Sequence, residues 1–190
     1  MMFILGSGSV GRLKVIKQAG FLPDLIEPAN VDETPLKNEK PLDYIKRIAN
    51  LKCDFMSKKY PKDIILTGDT IITLMGRFFQ KCHDEQEFVD NLGKYSGKSI
   101  KVISSACVFS GGKIAQKTRE TSVKFKHFNQ IDIDDLVKIN EWQGASGGVY
   151  VEGLMASFII KIVGSYTNII GLPMYEVSNM LISAGIKRKI

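Results

Sequence analysis

The run from Ile64 to Leu74 constrains this chain more than any other stretch of its sequence. It reads IILTGDTIITL and is rich in β-branched residues, so it predicts a strand. Gly68 and Asp69 are its only interruption. Because burial of an uncompensated carboxylate is costly, Asp69 is expected to be ion-paired, hydrogen-bonded or bound to a metal. A structural aspartate that accepts backbone hydrogen bonds explains the same pattern.

Strands and helices alternate in the first part of the chain, whereas adjacent strands occupy the middle. Segments with helical spacing are Leu13–Ala19, Pro41–Phe55, Asp84–Tyr95, Asp132–Asn140 and Pro173–Ala184. Strand-like segments are Met2–Leu5, Phe21–Glu27, Ile64–Leu74, Phe78–Phe79, Ile100–Phe109 and Lys113–Phe125. This order predicts an α/β fold with a mixed, twisted sheet, flanking helices and two lobes around a cleft. No repeat or linker divides the sequence, so residues 1–190 are predicted to form a single domain.

A loop of small residues joins the first strand to the first helix. Backbone N–H groups at the start of a helix, two hydroxyls (Ser7 and Ser9) and the guanidinium of Arg12 would together bind an anion such as a phosphate. The alternative is that Ser9 serves only as the N-cap of the helix and that the glycines ease the turn.

Composition excludes several classes of protein. With 44% hydrophobic and 24% charged residues, the chain is typical of a globular protein and not of a disordered or coiled-coil one. The three scattered cysteines form neither a CxxC pair nor a disulfide framework. No apolar run is long enough to span a membrane, and the start lacks a secretory signal, so we expect a cytoplasmic protein with no membrane partner. The net charge of +6 is typical of a solvated surface, or of a protein with an anionic partner.

Seven short motifs follow one another along almost the whole chain. They are Leu5–Arg12, Val31–Glu33, Arg47–Lys52, Gly68–Thr70, Lys81, Leu92–Gly97 and Gly164–Pro173. In order and spacing they resemble the motifs of the Maf family of nucleoside triphosphate pyrophosphatases. The resemblance implies a fold similar to that of inosine triphosphate pyrophosphatases.

The resemblance also implies an activity and a set of site residues. The activity is hydrolysis of a nucleoside triphosphate to the monophosphate and pyrophosphate, assisted by Mg²⁺ or Mn²⁺. Asp69 is implied as the catalytic residue and, with Glu33, as a metal ligand. The implied phosphate-binding residues are Ser7, Ser9, Arg12, Lys52 and Lys81. Judged by residue type alone, the two lysines and Glu33 are also typical of solvent-exposed positions.

Several positions depart from the family pattern. Gly11 replaces the first of two paired arginines and Cys82 replaces a proline, while Ala145 and Glu152 replace a lysine and a glutamine that belong to the dTTP and UTP enzymes. The segment that begins at Glu152 is more similar to the branch acting on 7-methyl-GTP. A carboxylate accepts from the N–H groups of a guanine edge but repels the carbonyls of uracil and thymine, so Glu152 is expected to favour a guanine-type or modified purine base. A structural pairing of Glu152 with Lys161 is the alternative.

Two other functions remain open at this point. One is a non-enzymatic nucleotide- or nucleic-acid-binding regulator of cell division or septum formation. Apart from Lys187–Lys189, however, the basic residues form no dense cluster with interleaved aromatics, so nucleic acid is not the expected partner. The other is a house-cleaning pyrophosphatase for inosine- or xanthosine-type triphosphates. A homodimer is also left open.

Overall fold

The computed structural model describes residues 1–189 of the chain. Its α-helices are α1 (Val10–Gln18), α2 (Pro41–Lys59), α3 (Glu85–Tyr95), α4 (Gln130–Ile139), α5 (Tyr166–Ile170) and α6 (Met174–Ser183). Its strands are β1 (Phe3–Leu5), β2 (Leu25–Ile26), β3 (Ile64–Leu74), β4 (Arg77–Phe79), β5 (Ser99–Ser110), β6 (Lys113–Phe125) and β7 (Ile159–Val163). The predicted α/β fold class is therefore confirmed.

The seven strands form one mixed sheet. Their order is β2-β1-β3-β5-β6-β7, with β4 paired to β3 outside this path. The strand β1 lies parallel to both β2 and β3, whereas β4 is antiparallel to β3 and β7 is antiparallel to β6. Parallel neighbours require a helical crossover, and α1 and α2 provide the crossovers that lead from β1 to β2 and from β2 to β3.

Two compact units can be distinguished along the chain, and their boundaries cut the long strands β3, β5 and β6. The first unit comprises Met1–Thr70, Ser104–Arg119 and the described residues from Gly171 onward. One of its core clusters lies between α2 and the strands β1, β3 and β5. The buried members of this cluster are Ile4, Ala49, Cys53, Met56, Ile65, Cys107 and Phe109.

The second unit comprises Ile71–Ile103 and Glu120–Ile170. Its core is rich in aromatic rings, with Phe88 stacked on Trp142 at a centroid distance of 5.1 Å and Tyr95 stacked on Phe125 at 6.3 Å. Such pairs stabilise a core by more than the apolar area that they bury. The two units are consistent with the expected lobes, but the cleft and the single domain stay predictions.

Some elements differ from those that the sequence predicts. The second strand covers only Leu25–Ile26 instead of Phe21–Glu27, because Pro23 cannot donate a backbone hydrogen bond and the side chain of Asp24 accepts one from the N–H of Phe3. The strand β7 and the short helix α5 were not expected from their local pattern. Within residues 1–189, no helix combines the length and the apolar character that crossing a membrane requires.

Candidate active site

The loop after β1 begins the candidate site in the first unit. The N–H of Gly6 donates to the carbonyl of Leu66 on β3 at 2.8 Å, which continues the strand pairing as far as the loop. Ser9 is the N-cap of α1, and its hydroxyl accepts a hydrogen bond from the N–H of Arg12 at 3.3 Å. Ser9 therefore caps the helix, whereas phosphate binding by this loop stays a prediction.

The guanidinium of Arg12 is the most extensively bonded group in this region. Its Nε donates to the carbonyl of Gly171 at 3.1 Å, its Nη1 to the hydroxyl of Ser7 at 2.9 Å and its Nη2 to the hydroxyl of Thr70 at 3.2 Å. Nη2 also lies 3.8 Å from the Oδ1 atom of Asp69. Burial lowers the pKa of Arg12, and the nearby carboxylates oppose this shift. The group remains a cation, because an arginine is not deprotonated in proteins.

Gly171 permits the close approach of its own carbonyl to Arg12. Its φ angle is +131°, and a Cβ atom at this position would lie 3.1 Å from Cγ of Arg12. A side chain would therefore meet both backbone strain and a crowded neighbour. The requirement places Gly171, which is 159 residues from Arg12 in sequence, among the residues that position the guanidinium.

Lys52 reaches the same region from the buried face of α2. Ile48 and Met56, one turn before and one turn after it, are fully buried, and only 9% of the Lys52 side chain is exposed. Its Nζ atom lies 2.9 Å from Oε1 of Glu33 and 3.0 Å from Oδ1 of Asp69. Because these carboxylates come from a loop and a strand, Lys52 connects three separate parts of the first unit.

The loop that carries Glu33 is fastened to α2 by other contacts. Arg47 donates from Nε and Nη2 to the two oxygens of Glu39 at 2.6 and 2.7 Å, and from Nη2 to the carbonyl of Thr34 at 3.1 Å. The hydroxyl of Tyr44 donates to the carbonyl of Glu33 itself at 3.0 Å. The two-pronged pairing of Arg47 with Glu39 fixes the geometry of the loop as well as its charge. We call these contacts the loop clasp.

Two hydroxyls extend the hydrogen-bonded group around Arg12. Thr70 follows Asp69 on β3, and its hydroxyl lies 2.8 Å from that of Ser104 on β5, in addition to accepting from Arg12. Ser104 is fully buried. The sequence interpretation did not assign these hydroxyls to the site. The one available signal was the polar Thr70 beside the glycine and aspartate that interrupt β3.

The site contains two cations, Arg12 and Lys52, and two anions, Glu33 and Asp69, so its net charge is zero when all four side chains are ionised. Carboxylate oxygens are the donors that Mg²⁺ and Mn²⁺ prefer, and Mg²⁺ often takes only one or two carboxylates, the rest of its shell being water and substrate phosphate. Among the described residues there is no group of three or more His, Cys, Asp and Glu side chains arranged around a metal position. The pair Glu33 and Asp69 supplies carboxylate oxygens of the kind that these ions prefer, and metal binding by the pair stays a prediction.

The chain is similar to a known family and to several named proteins. The family described as Maf-like protein matches residues 2–184. The chain belongs to the Maf family. A relative from Mesorhizobium japonicum named dTTP/UTP pyrophosphatase is 40% identical and covers 97% of this chain and 92% of its own length. Two further relatives with the same name are also similar to this chain. The one from Rhodopseudomonas palustris strain HaA2 is 39% identical over 94% of this chain and 89% of the relative. The one from Chelativorans sp. is 36% identical over 97% of this chain and 91% of the relative.

Of the site residues implied by the Maf resemblance, six lie together in the first unit. Contacts connect Ser7 to Arg12, Arg12 to Asp69, and Asp69 through Lys52 to Glu33, while Ser9 caps the helix that carries Arg12. Nζ of Lys52 lies 3.0 Å from Oδ1 of Asp69, and because the Lys52 side chain is buried, the typical exposure of a lysine does not apply to it. The catalytic, phosphate-binding and metal-binding roles of these residues stay predictions.

The other two implied residues of this Maf protein lie in the second unit. Lys81 is exposed, and its backbone forms an isolated antiparallel bridge with Ser146. Glu152 is half-buried and lies just before a 3₁₀ turn at Leu154–Phe158, whose first N–H donates to Oε2 of Glu141 at 2.8 Å. Their roles toward phosphate and base also stay predictions.

The loop clasp gives a testable dependence of stability on pH. The hydrogen bonds from Arg47 lower the pKa of Glu39 from an ordinary 4.5 to about 2. At pH values above the ordinary pKa of a glutamate, a carboxyl group whose pKa is lowered in the folded state stabilises the fold. This stabilisation is lost as the pH falls toward the lowered pKa. We expect Glu39→Gln to lower the free energy of unfolding at neutral pH. The difference from wild type should shrink between about pH 5 and pH 3.

Urea unfolding of the wild-type protein and Glu39→Gln at a series of pH values measures this difference. A difference that is the same at neutral pH and at about pH 3 would show that the carboxylate of Glu39 is not held by Arg47 in solution.

Proposed function

We propose that this Maf protein hydrolyses nucleoside triphosphates to the monophosphate and pyrophosphate. The observation that carries the proposal is the contact of Lys52 with both Glu33 and Asp69, with Arg12 beside Asp69. The names of the relatives support the same reaction class. A site with two buried cations and two carboxylates contains the parts that hydrolysis of a phosphoanhydride needs.

The triphosphate would be bound by positively charged side chains. It carries about four negative charges near neutral pH, and phosphoryl transfer depends mainly on positioning and on charge stabilisation. Arg12 and Lys52 supply this charge within the first unit, and the hydroxyls of Ser7 and Ser9 are hydrogen-bond donors. We place Lys81 on the phosphates as well, in accordance with the family pattern.

Asp69 is the group that we assign to the attacking water. Its carboxylate accepts a hydrogen bond from the water, orients it toward phosphorus and takes its proton as the new oxygen–phosphorus bond forms. The bond from phosphorus to the oxygen that links the monophosphate to the pyrophosphate breaks, and that oxygen keeps the electron pair. Glu33 and Asp69 would hold Mg²⁺ or Mn²⁺. When bound, the metal neutralises phosphate charge and makes a coordinated water more acidic.

We propose dTTP and UTP as substrates because these are the compounds named for the relatives. The carboxylate of Glu152 is unfavourable toward the two carbonyls of these bases and favourable toward the N–H groups of guanine. We therefore propose that Glu152 weakens the preference of this protein for pyrimidines and admits guanine-type or modified purine bases.

Replacing Asp69 by Asn tests the proposed reaction. The amide has nearly the same shape but takes up no proton and is a poor ligand for Mg²⁺, so we expect pyrophosphate release to fall by about 100-fold or more. The measurement is the initial rate of pyrophosphate release, with circular dichroism to establish that the variant is folded. Asp63→Asn, at the residue just before the same strand, is the matched control and should retain activity.

Near-normal turnover by a folded Asp69→Asn protein would remove Asp69 from the reaction. Release of no pyrophosphate by the wild-type protein from any nucleotide would instead favour the non-enzymatic role in cell division.

Replacing Glu152 by Gln tests the assignment of the base. The glutamine both donates and accepts hydrogen bonds, so it can pair with a carbonyl and an N–H of uracil. We expect the ratio of kcat/KM for UTP to that for 7-methyl-GTP to increase several-fold, since each lost or gained hydrogen bond to a base changes binding by about 1 kcal/mol. Glu85→Gln, an exposed change in the same unit, should leave the ratio unchanged. An unchanged ratio in Glu152→Gln would remove Glu152 from base recognition.

A further inference from the structure

We propose that the ammonium of Lys52 is a built-in substitute for the divalent cation, and that it excludes the metal until a nucleotide draws it away. The inference rests on the proposed function and concerns how that site is regulated. In the free protein the ammonium occupies the position between Glu33 and Asp69. When a triphosphate enters, the ammonium moves to the phosphates and leaves both carboxylates to the metal.

The geometry of the carboxylates supports this exchange. Nζ of Lys52 is within hydrogen-bond distance of one oxygen of Glu33 and one of Asp69, at 2.9 and 3.0 Å. These two oxygens are therefore at most about 6 Å apart, whereas a Mg²⁺ ion spans about 4 Å between two directly bound oxygens. A divalent cation and the ammonium of Lys52 cannot both occupy this space, so the two compete for the same pair of oxygens.

The balance of charge at the site also supports the exchange. Arg12 and Lys52 are neutralised by Asp69 and Glu33, so the site as a whole offers an incoming triphosphate no excess positive charge. Strong binding of a polyanion requires a net gain of positive charge at the site. Movement of the Lys52 ammonium to phosphate, together with entry of a divalent cation between the carboxylates, provides that gain.

The exchange requires little movement of the protein. The stem of Lys52 is held among buried residues of α2, but its flexible chain lets the ammonium move while the stem stays in place. Asp69 is part of β3, whereas Glu33 lies in a loop and 46% of its side chain is exposed. The partner most able to adjust to a smaller cation is therefore Glu33.

The exchange predicts that the nucleotide-free protein binds divalent cations weakly. Metal can enter only in the fraction of molecules in which the ammonium has left, and the apparent affinity is reduced by that fraction. We expect Lys52→Met to bind Mn²⁺ at least about tenfold more tightly than wild type in the absence of nucleotide. Lys52→Arg, which keeps the positive charge, should bind Mn²⁺ as weakly as wild type.

Electron paramagnetic resonance of free Mn²⁺ during titration of each nucleotide-free protein measures these affinities. Lys58→Met is the matched control, because it removes the same charge from an exposed position of the same helix and should leave Mn²⁺ binding unchanged. Adding Glu33→Gln to Lys52→Met should abolish the gained affinity, which assigns the gain to this carboxylate pair. If Lys52→Met does not fold, Lys52→Gln gives the same comparison with an uncharged polar side chain.

Equal Mn²⁺ affinity in the wild type and in a folded variant without the ammonium would overturn the inference, as would an equal gain in Lys58→Met. The outcome is separate from that of the proposed function, because the titration contains no nucleotide. If the affinity does not rise while the wild type releases pyrophosphate, the exchange alone is wrong. If it rises in a protein that hydrolyses no nucleotide, the proposed function alone is wrong.

Discussion

The ammonium of Lys52 stands within hydrogen-bond distance of two carboxylates on a face of α2 that is otherwise apolar. A buried cation persists only when it is paired, and removing one partner of a buried pair such as Lys52 and Asp69 typically costs about 3–5 kcal/mol. This requirement keeps Glu33 and Asp69 close together, although 36 residues separate them in sequence. Much of the first unit around Asp69 can be understood as the arrangement that satisfies this one charge.

Arg12 imposes a second constraint of the same kind. Its guanidinium is buried, and its donors are met by the carbonyl of Gly171 and by the hydroxyls of Ser7 and Thr70. The N-terminal helix, β3 and the segment before α6 therefore contribute to one hydrogen-bonded group. The guanidinium of Arg12 is thus held by the fold before any substrate arrives, which is the preorganisation that charge stabilisation of a reaction requires.

Local patterns in the sequence were enough to predict much of this. The β-branched run of β3, the capping serine of α1 and the apolar spacing of α2 are properties of neighbouring residues, and the fold class that they predicted is confirmed. The family that the seven motifs indicated is confirmed as well. The carbonyl of Gly171 and the hydroxyl of Ser104 could not be found in this way, because their contacts join distant segments. Lys52 was typical of a surface lysine by residue type, and its burial with Ile48 and Met56 is seen only in the folded structure. The metal, the base, the cytoplasmic location and the homodimer stay predictions.

Product analysis tests the central claim, that this arrangement of charges hydrolyses nucleoside triphosphates between the monophosphate and the pyrophosphate. The purified wild-type protein would be incubated with dTTP, UTP, 7-methyl-GTP, ITP and the common triphosphates in the presence of Mg²⁺, and the products would be followed by ³¹P nuclear magnetic resonance. We expect monophosphate and pyrophosphate to appear in equal amounts, with no accumulation of nucleoside diphosphate or orthophosphate. Formation of diphosphate and orthophosphate, or no product from any nucleotide, would contradict it.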